Sequence, residues 1–127
     1  MSQSVLIVED DRLLAEVYQK SLRAEGIKSV VAYDFADAIA RFKPSQHWLV
    51  VLDIMLADKN GFELLKSLRR QPGGNSFAVL VVSGMATNEL SINKEVMVAL
   101  NIIGVYTKSQ FSIAQFVQLV KSRSRQM

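Results

Sequence analysis

The stretch Leu49-Val50-Val51-Leu52-Asp53 decides the fold of this 127-residue chain. Its four apolar residues run without polar alternation and end on a carboxylate. Such a run is typical of a strand that is buried on both faces of a parallel sheet. Ligands of such sheets bind just beyond the carboxyl ends of the strands, so Asp53 is predicted to lie at a functional site. Taken alone, Asp53 is equally well interpreted as a strand-end residue that caps the next turn.

The composition limits the class of protein. Half of the residues are apolar and only 2 are Pro, which favours one domain over residues 1–127 with a substantial core. The absence of Cys excludes disulfides and thiolate metal sites, and the single His47 excludes a multi-histidine metal site. The apolar runs are too short to span a membrane and no export signal is recognisable, so we expect a cytoplasmic protein without membrane contact.

The net charge of +3 raises the question of nucleic-acid binding. Lys121, Arg123 and Arg125 supply the whole excess, because the other 12 basic residues match 12 acidic ones. Cations at the end of a last helix complement the helix dipole. The sequence therefore predicts no direct nucleic-acid binding by this domain.

Strand and helix patterns alternate along the whole chain. Besides the opening stretch, strands are predicted at Ser4–Val8, Ser29–Tyr33, Phe77–Val82 and Ile102–Thr107. Helices are predicted between Asp11 and Gly26, Asp34 and Lys43, Phe62 and Arg70, Met85 and Leu100, and Ser112 and Ser124. This alternation predicts a flavodoxin-like, doubly wound α/β fold: a five-stranded parallel sheet in the order 2-1-3-4-5, with five helices forming a three-layer sandwich.

In that fold, polar residues end four strands. Glu9 and Asp10 follow the first strand, Asp53 the third, Ser83 the fourth and Lys108 the fifth. Since the first and third strands are neighbours, three carboxylates converge, and a divalent cation is their natural counter-charge. An oxygen-rich site suits Mg²⁺, with Mn²⁺ as the other candidate. A solvated acidic turn that caps the first helix is the alternative for the first two residues.

These residues resemble the receiver domain of two-component response regulators. The similarity is carried by four motifs at the ends of four strands: Val5-Leu6-Ile7-Val8-Glu9-Asp10-Asp11, Val51-Leu52-Asp53-Ile54-Met55-Leu56 with Asn60-Gly61-Phe62-Glu63-Leu64-Leu65, Val82-Ser83-Gly84, and Lys108. Their order along the chain makes the resemblance specific.

The resemblance implies that Asp53 accepts a phosphoryl group from a sensor histidine kinase or a phosphotransfer protein. Glu9, Asp10, the Asp53 carboxylate and the Met55 carbonyl would hold Mg²⁺. Ser83 and Lys108 would contact phosphoryl oxygens. The chain would then be a signalling receiver that catalyses only its own phosphorylation and dephosphorylation, with an unknown downstream effector. A homodimer is compatible with this role.

Three positions depart from the family pattern. Ala57 and Ser109 stand where the family usually has Pro, and Val105 stands where it keeps a switching Tyr or Phe. The peptide bond before Ser109 is therefore expected to be trans. Tyr106 lies next door, and strand alternation predicts that it points to the opposite face of the sheet. These departures keep open a receiver-like interaction module that acts without phosphorylation.

Overall fold

The chain folds around one five-stranded parallel sheet. The computed structural model describes residues 3–56, 60–73, 76–85 and 92–125. The strands are β1 (Ser4–Val8), β2 (Ser29–Ala32), β3 (His47–Leu52), β4 (Ala78–Ser83) and β5 (Ile102–Thr107). Their order in the sheet is β2-β1-β3-β4-β5, with every neighbouring pair parallel. The predicted doubly wound topology and its strand order are confirmed.

Five α-helices connect or follow the strands, and each begins at a polar cap. They are α1 (Arg12–Ala24), α2 (Phe35–Arg41), α3 (Gly61–Arg69), α4 (Lys94–Leu100) and α5 (Ile113–Ser124). The residue before each helix accepts a hydrogen bond from a backbone N–H of the first turn: Asp11, Asp34, Asn60, Asn93 and Ser112. These caps satisfy N–H groups that the helix itself leaves without acceptors, which fixes where each helix starts.

The sheet separates two apolar layers. Alternate strand residues point to opposite faces, so Leu6 and Val8 pack in one layer while Val5 and Ile7 pack in the other. Residues of α2, α3 and α4 cover the first face, and residues of α1 and α5 cover the second. The central strand β3 is buried on both faces from Leu49 to Leu52, as its continuous apolar sequence predicts. The three-layer sandwich is therefore confirmed.

The fourth helix differs from the prediction. A helix from Met85 to Leu100 was expected, but Met85 lies in a bend, residues 92–93 are not helical, and α4 begins at Lys94. Residues 86–91 lie outside the described part of the chain. The cap explains the late start, because the Asn93 side chain accepts the Val96 N–H at 2.9 Å. Asn and Ser compete with helical hydrogen bonding, which shortens the helix from its polar end.

Smaller boundary differences have local causes. β2 ends at Ala32, one residue before the predicted Tyr33, because the Tyr33 N–H donates to the Asp37 carboxylate at 3.1 Å. β3 begins at His47, two residues before the predicted start. The peptide bond before Ser109 is trans. No helix in residues 3–56, 60–73, 76–85 or 92–125 is long and apolar enough to cross a membrane.

His47 provides a test of this packing. Its side chain is 2% exposed, and its Nδ1 accepts the Lys43 backbone N–H at 3.0 Å. Burial, followed by the nearby charge of Lys43, lowers the pKa of His47 below its ordinary value. At acidic pH the unfolded chain therefore binds a proton at His47 more readily than the folded chain does. The contribution of neutral His47 to the stability of the fold is present above about pH 6.5 and is lost as the pH falls through the folded-state pKa.

We expect the imidazole resonance of this only histidine to titrate below pH 6.5. Each unit by which its pKa lies below the unfolded value corresponds to ~1.4 kcal/mol of acid destabilisation. His47→Asn keeps an acceptor for the Lys43 N–H but does not titrate, so its free energy of unfolding should fall less between pH 7 and pH 5. A midpoint at or above 6.5 would contradict the prediction.

Candidate functional site

Three carboxylates meet at the carboxyl edge of the sheet. Val8 pairs with Leu52 in the parallel register, so Glu9 and Asp53 leave neighbouring strands side by side. One carboxylate oxygen from each of Glu9, Asp10 and Asp53 lies within 4.8 Å of the others. Glu9 is 2% exposed and Asp53 is 4% exposed, whereas Asp10 is half-buried. The structure thus brings together all three acidic residues that the sequence singled out.

Lys108 reaches this cluster from the end of β5. Its Nζ donates to the Glu9 Oε1 at 2.6 Å and to the Asp53 Oδ2 at 2.9 Å. The Lys108 side chain is one quarter exposed, so these contacts are largely shielded from solvent. Charge-assisted hydrogen bonds of this length are among the stronger polar contacts in proteins. One ammonium group therefore ties the ends of β1, β3 and β5 together.

Burial and pairing act against each other on the ionisation of these groups. Burial raises the pKa of Glu9 to about 7, although the hydrogen bond from Lys108 opposes the shift. Burial alone would lower the pKa of Lys108, but its hydrogen bonds with Glu9 and Asp53 together raise it. Lys108 is therefore charged at neutral pH, and Glu9 keeps its proton to a higher pH than an ordinary carboxyl group does.

The donor set fits a divalent cation. One oxygen from each of the three carboxylates lies within 4.8 Å of the others, and Lys108 pairs with two of these groups, Glu9 and Asp53. Carboxylate oxygens are the ligands that Mg²⁺ and Mn²⁺ prefer. Met55 contributes its backbone N–H, which donates to the Asp53 Oδ1 at 2.9 Å, while its side chain is 54% exposed. The main chain of Met55 is thus held beside Asp53.

Ser83 closes β4 and is fully buried. The register pairs Leu52 with Val81, so Ser83 lies one residue further along the sheet than Asp53. Its hydroxyl accepts the Met85 N–H at 3.2 Å, and the Met85 carbonyl accepts the Thr107 hydroxyl at 3.4 Å. The hydroxyl of Ser83 is thereby linked to the end of β5, on which Lys108 also depends.

Gly61 makes a close backbone contact beside Asp53 that the sequence interpretation missed. Its N–H donates to the Ile54 carbonyl at 2.8 Å. A Cβ atom at Gly61 would lie 2.7 Å from the Ile54 Cα and 2.8 Å from the Asp53 carbonyl oxygen. The chain after Asp53 folds back through a bridge between Met55 and Asn60, and only glycine allows this close approach. The Asn60-Gly61 pair in the sequence indicated a turn but not this contact.

We predict that Gly61→Ala destabilises the fold by about 1–3 kcal/mol, because backbone atoms rather than a flexible side chain must move. It should also shift the Asp53 amide resonance. The matched control is Gly84→Ala, where nothing lies within 4 Å of the added Cβ and φ is not positive. Its free energy of unfolding should change by less than about 0.5 kcal/mol. Equal effects of the two changes in chemical denaturation would contradict this account.

Tyr106 lies on the face of the sheet opposite to Val105, as strand alternation predicts. Val105 packs against the layer of α2, α3 and α4, whereas Tyr106 packs against the layer of α1 and α5. The Tyr106 ring stacks on Phe111 with centroids 4.3 Å apart and an interplanar angle of 12°. It also lies so close over Gly104 that a Cβ there would be 2.6 Å from the Tyr106 Cε2. The Tyr106 ring is therefore packed between Gly104 and Phe111.

Comparisons with known proteins agree with this geometry. The family model described as "Response regulator receiver domain" matches residues 5–121. The probable transcriptional regulatory protein TcrX of Mycobacterium tuberculosis is 39% identical over 71 residues, which are 56% of this chain and 30% of that protein. The regulatory protein VanRc of Enterococcus gallinarum is 36% identical over 70 residues, which are 55% of this chain and 30% of that protein. The matched region thus spans less than one third of these relatives.

Solved structures show the same fold. The receiver domain of Francisella response regulator 1452 superposes with a TM-score of 0.75 at 28% identity, covering 95% of each chain. A CheY-like receiver domain protein from Methanospirillum hungatei JF-1 gives a TM-score of 0.79 at 22% identity, covering 97% of this chain and 94% of that one. The second likeness concerns the fold alone.

Proposed function

Because this chain belongs to the response regulator receiver domain family of two-component systems, we propose that Asp53 accepts a phosphoryl group in a Mg²⁺-dependent reaction. Receivers are signalling domains rather than classical enzymes, so the reaction modifies the chain itself. The observation that carries the proposal is the pair of hydrogen bonds from the Lys108 Nζ to Glu9 and Asp53. They hold a cation beside the carboxylate that would receive an anionic group.

The proposed step is a displacement at phosphorus. A carboxylate oxygen of Asp53 forms a bond to phosphorus while the bond from phosphorus to the imidazole nitrogen of the donor histidine breaks. The electron pair stays on that nitrogen, and the product is an acyl phosphate. Catalysis of such transfers is mostly positioning and charge neutralisation. Lys108 supplies a positive charge beside Asp53 and would pair with a phosphoryl oxygen once the group has arrived.

The other site residues hold and shield the reacting group. Glu9, Asp10 and Asp53, with the main-chain carbonyl of Met55, would bind Mg²⁺, which supplies charge neutralisation at the phosphoryl oxygens when bound. The Met55 N–H fixes one oxygen of Asp53 at 2.9 Å, which leaves the other oxygen as the partner of Lys108. The buried hydroxyl of Ser83 would donate to a phosphoryl oxygen, since it is held at the end of the neighbouring strand β4.

The donor and the output follow from the family. The phosphoryl donor is a sensor histidine kinase or a phosphotransfer protein, and residues 1–127 form one receiver domain acting in the cytoplasm. A relative from Mycobacterium leprae is described as DNA-binding response regulator MtrA, and the region matched is 32% of that protein. DNA binding is therefore proposed only for an effector controlled by this domain, and not for the domain itself.

A second candidate function is a receiver-like module that docks partners without phosphorylation. The packing of the Tyr106 ring favours this candidate, because the ring lies on the face of the sheet opposite to Val105. It is the weaker candidate, because a module without chemistry has no need of two buried carboxylates paired with one lysine.

Asp53→Asn separates the two candidates. With Mg²⁺ and acetyl phosphate, the natural chain should gain ~80 Da, the mass of one phosphoryl group. The Asp53→Asn variant should gain nothing, because the amide has no nucleophilic carboxylate. Asp10→Asn is the matched control: it removes one charge from the same cluster but keeps the nucleophile, so it should still gain mass at higher Mg²⁺ concentrations. Intact-mass spectrometry of folded samples reports all three, and an unmodified natural chain would support the interaction module.

We expect phosphorylation to change the conformation of the segment after Ser83 rather than the position of an aromatic side chain on β5. Val105 has no ring to rotate, and Tyr106 is held between Gly104 and Phe111. Hydrogen exchange with and without the phosphoryl mimic beryllofluoride should therefore change mainly over residues 84–93. Tyr106→Phe, which keeps the stacked ring, should leave this pattern unchanged. Changes concentrated at Tyr106, with residues 84–93 unaffected, would contradict the expectation.

A further inference from the structure

A crevice at the amino edge of the sheet lies at the opposite end of the strands from Asp53. Its volume is about 740 Å³, which is within the range of small-molecule sites. It is bounded by the starts of β1 and β2, the end of α1 and the residue before β3. This crevice has no part in the proposed phosphoryl transfer.

The lining of the crevice is positively charged. Arg23 and Lys28 both line it, and its described lining contains no carboxylate. The nearest carboxylate along the chain is that of Glu25. It accepts a hydrogen bond from the Lys121 ammonium at 3.3 Å, so its charge is paired. Arg23 and Lys28 are exposed, so their charged groups remain available to an anion in the crevice.

The end of α1 does not cancel this charge. The last carbonyls of a helix carry partial negative charge and would repel an anion. Here the Gly26 N–H donates to the Arg23 carbonyl at 3.0 Å, and the Ile27 N–H donates to the Leu22 carbonyl at 2.9 Å. The positive φ of 74° at Gly26 allows this Schellman turn. The carbonyls of Leu22 and Arg23 are thereby occupied within the chain, which reduces the negative charge that the end of α1 presents to the crevice.

Basic residues also lie elsewhere on this edge. In a parallel α/β fold the helices run back to the edge where the strands start, and α1, α2, α3 and α5 each have a basic residue in the last turn. Such cations complement each helix dipole, which explains their position. Arg41 is paired with Asp37 and Lys121 with Glu25, so the positive charge at the crevice itself comes from Arg23 and Lys28.

Uncharged groups complete the crevice. The side chains of Ser4, Gln19 and Gln46 offer hydrogen bonds, while Ile27 and Val30 offer apolar surface. The Gln19 amide already donates to the Ser29 carbonyl at 3.2 Å.

We propose that this crevice binds a phosphorylated small molecule of nucleotide size. Arg23 and Lys28 pair with adjacent phosphoryl groups, and the less polar part of the ligand lies against Ile27 and Val30. Two cations suit two adjacent anionic groups better than a single phosphate. The combination of polar and apolar walls suits a nucleoside better than inorganic polyphosphate. The site is independent of the proposed phosphoryl transfer on Asp53.

Titration with ADP tests the proposal on the full chain without Mg²⁺, so that the carboxylate cluster attracts no anion. Binding should saturate, and amide resonances of residues 23–30 should shift while those around Asp53 do not. Pyrophosphate should bind the same residues more weakly, and adenosine more weakly still. Arg23→Gln combined with Lys28→Gln should weaken ADP binding about tenfold or more, as expected for the loss of two charge-assisted contacts.

The matched control removes the same number of positive charges outside the crevice. Lys20→Gln combined with Arg70→Gln changes two basic residues that do not line it, and it should leave ADP affinity within about twofold because neither side chain can pair with a ligand in the crevice. Equal weakening by both double variants would overturn the proposal in favour of a diffuse basic surface. Absence of saturable ADP binding, or binding only of a DNA duplex, would also overturn it.

Discussion

The pairing of one lysine with two buried carboxylates governs the carboxyl edge of this protein. Glu9 and Asp53 are almost completely buried, and buried charges are costly unless they are paired and hydrogen-bonded. Lys108 pairs with both at 2.6 Å and 2.9 Å. Removing the lysine would leave two carboxylates without a counter-charge. Lys108 therefore stabilises the two buried carboxylates, in addition to the backbone pairing that holds β1 beside β3 and β4 beside β5.

The strand order makes this pairing possible. β1 and β3 are neighbours, whereas β5 lies beyond β4, so a long side chain is needed to reach back from β5. Directly after Lys108, Phe111 stacks on Tyr106 and contacts Phe116 edge-on at 6.3 Å. These rings attach the segment after β5 to α5. The contacts of Phe111 with the apolar layer thus fix the backbone next to Lys108, and the packing of α5 contributes to the geometry of the site.

Most of this arrangement could be predicted from the sequence because it follows local patterns. The helices predicted to start near Asp11, Asp34 and Ser112 begin directly after these residues in the structure, and continuous apolar runs predicted the buried strands. The role of Gly61 could not be predicted, since it depends on the backbone of Ile54 lying 2.7 Å from an added Cβ. The start of α4 was predicted too early, because the apolar spacing after Met85 resembles a helix, although the polar residues of its first half are weak helix formers.

The distribution of charge was also hidden in the sequence. Lys121, Arg123 and Arg125 account for the net excess of +3, which suggested a local feature of the last helix. The parallel topology instead gathers the basic ends of four helices at one edge and the acidic strand ends at the other. Because all strands run in the same direction, the acidic cluster and the basic last turns of the helices lie at opposite edges of the sheet.

The pairing at the acidic edge suggests an order of events for the proposed reaction. Among the described residues, Glu9 and Asp53 share the one ammonium group of Lys108, so this trio carries a net negative charge when both carboxylates are ionised and would repel an anionic phosphoryl donor. A divalent cation would supply the missing positive charge. If the proposed function holds, metal binding should therefore precede productive approach of the donor. Because burial raises the pKa of Glu9 to about 7, protons compete with the metal for this cluster as the pH falls, and the acidic edge is most receptive to a cation above neutrality.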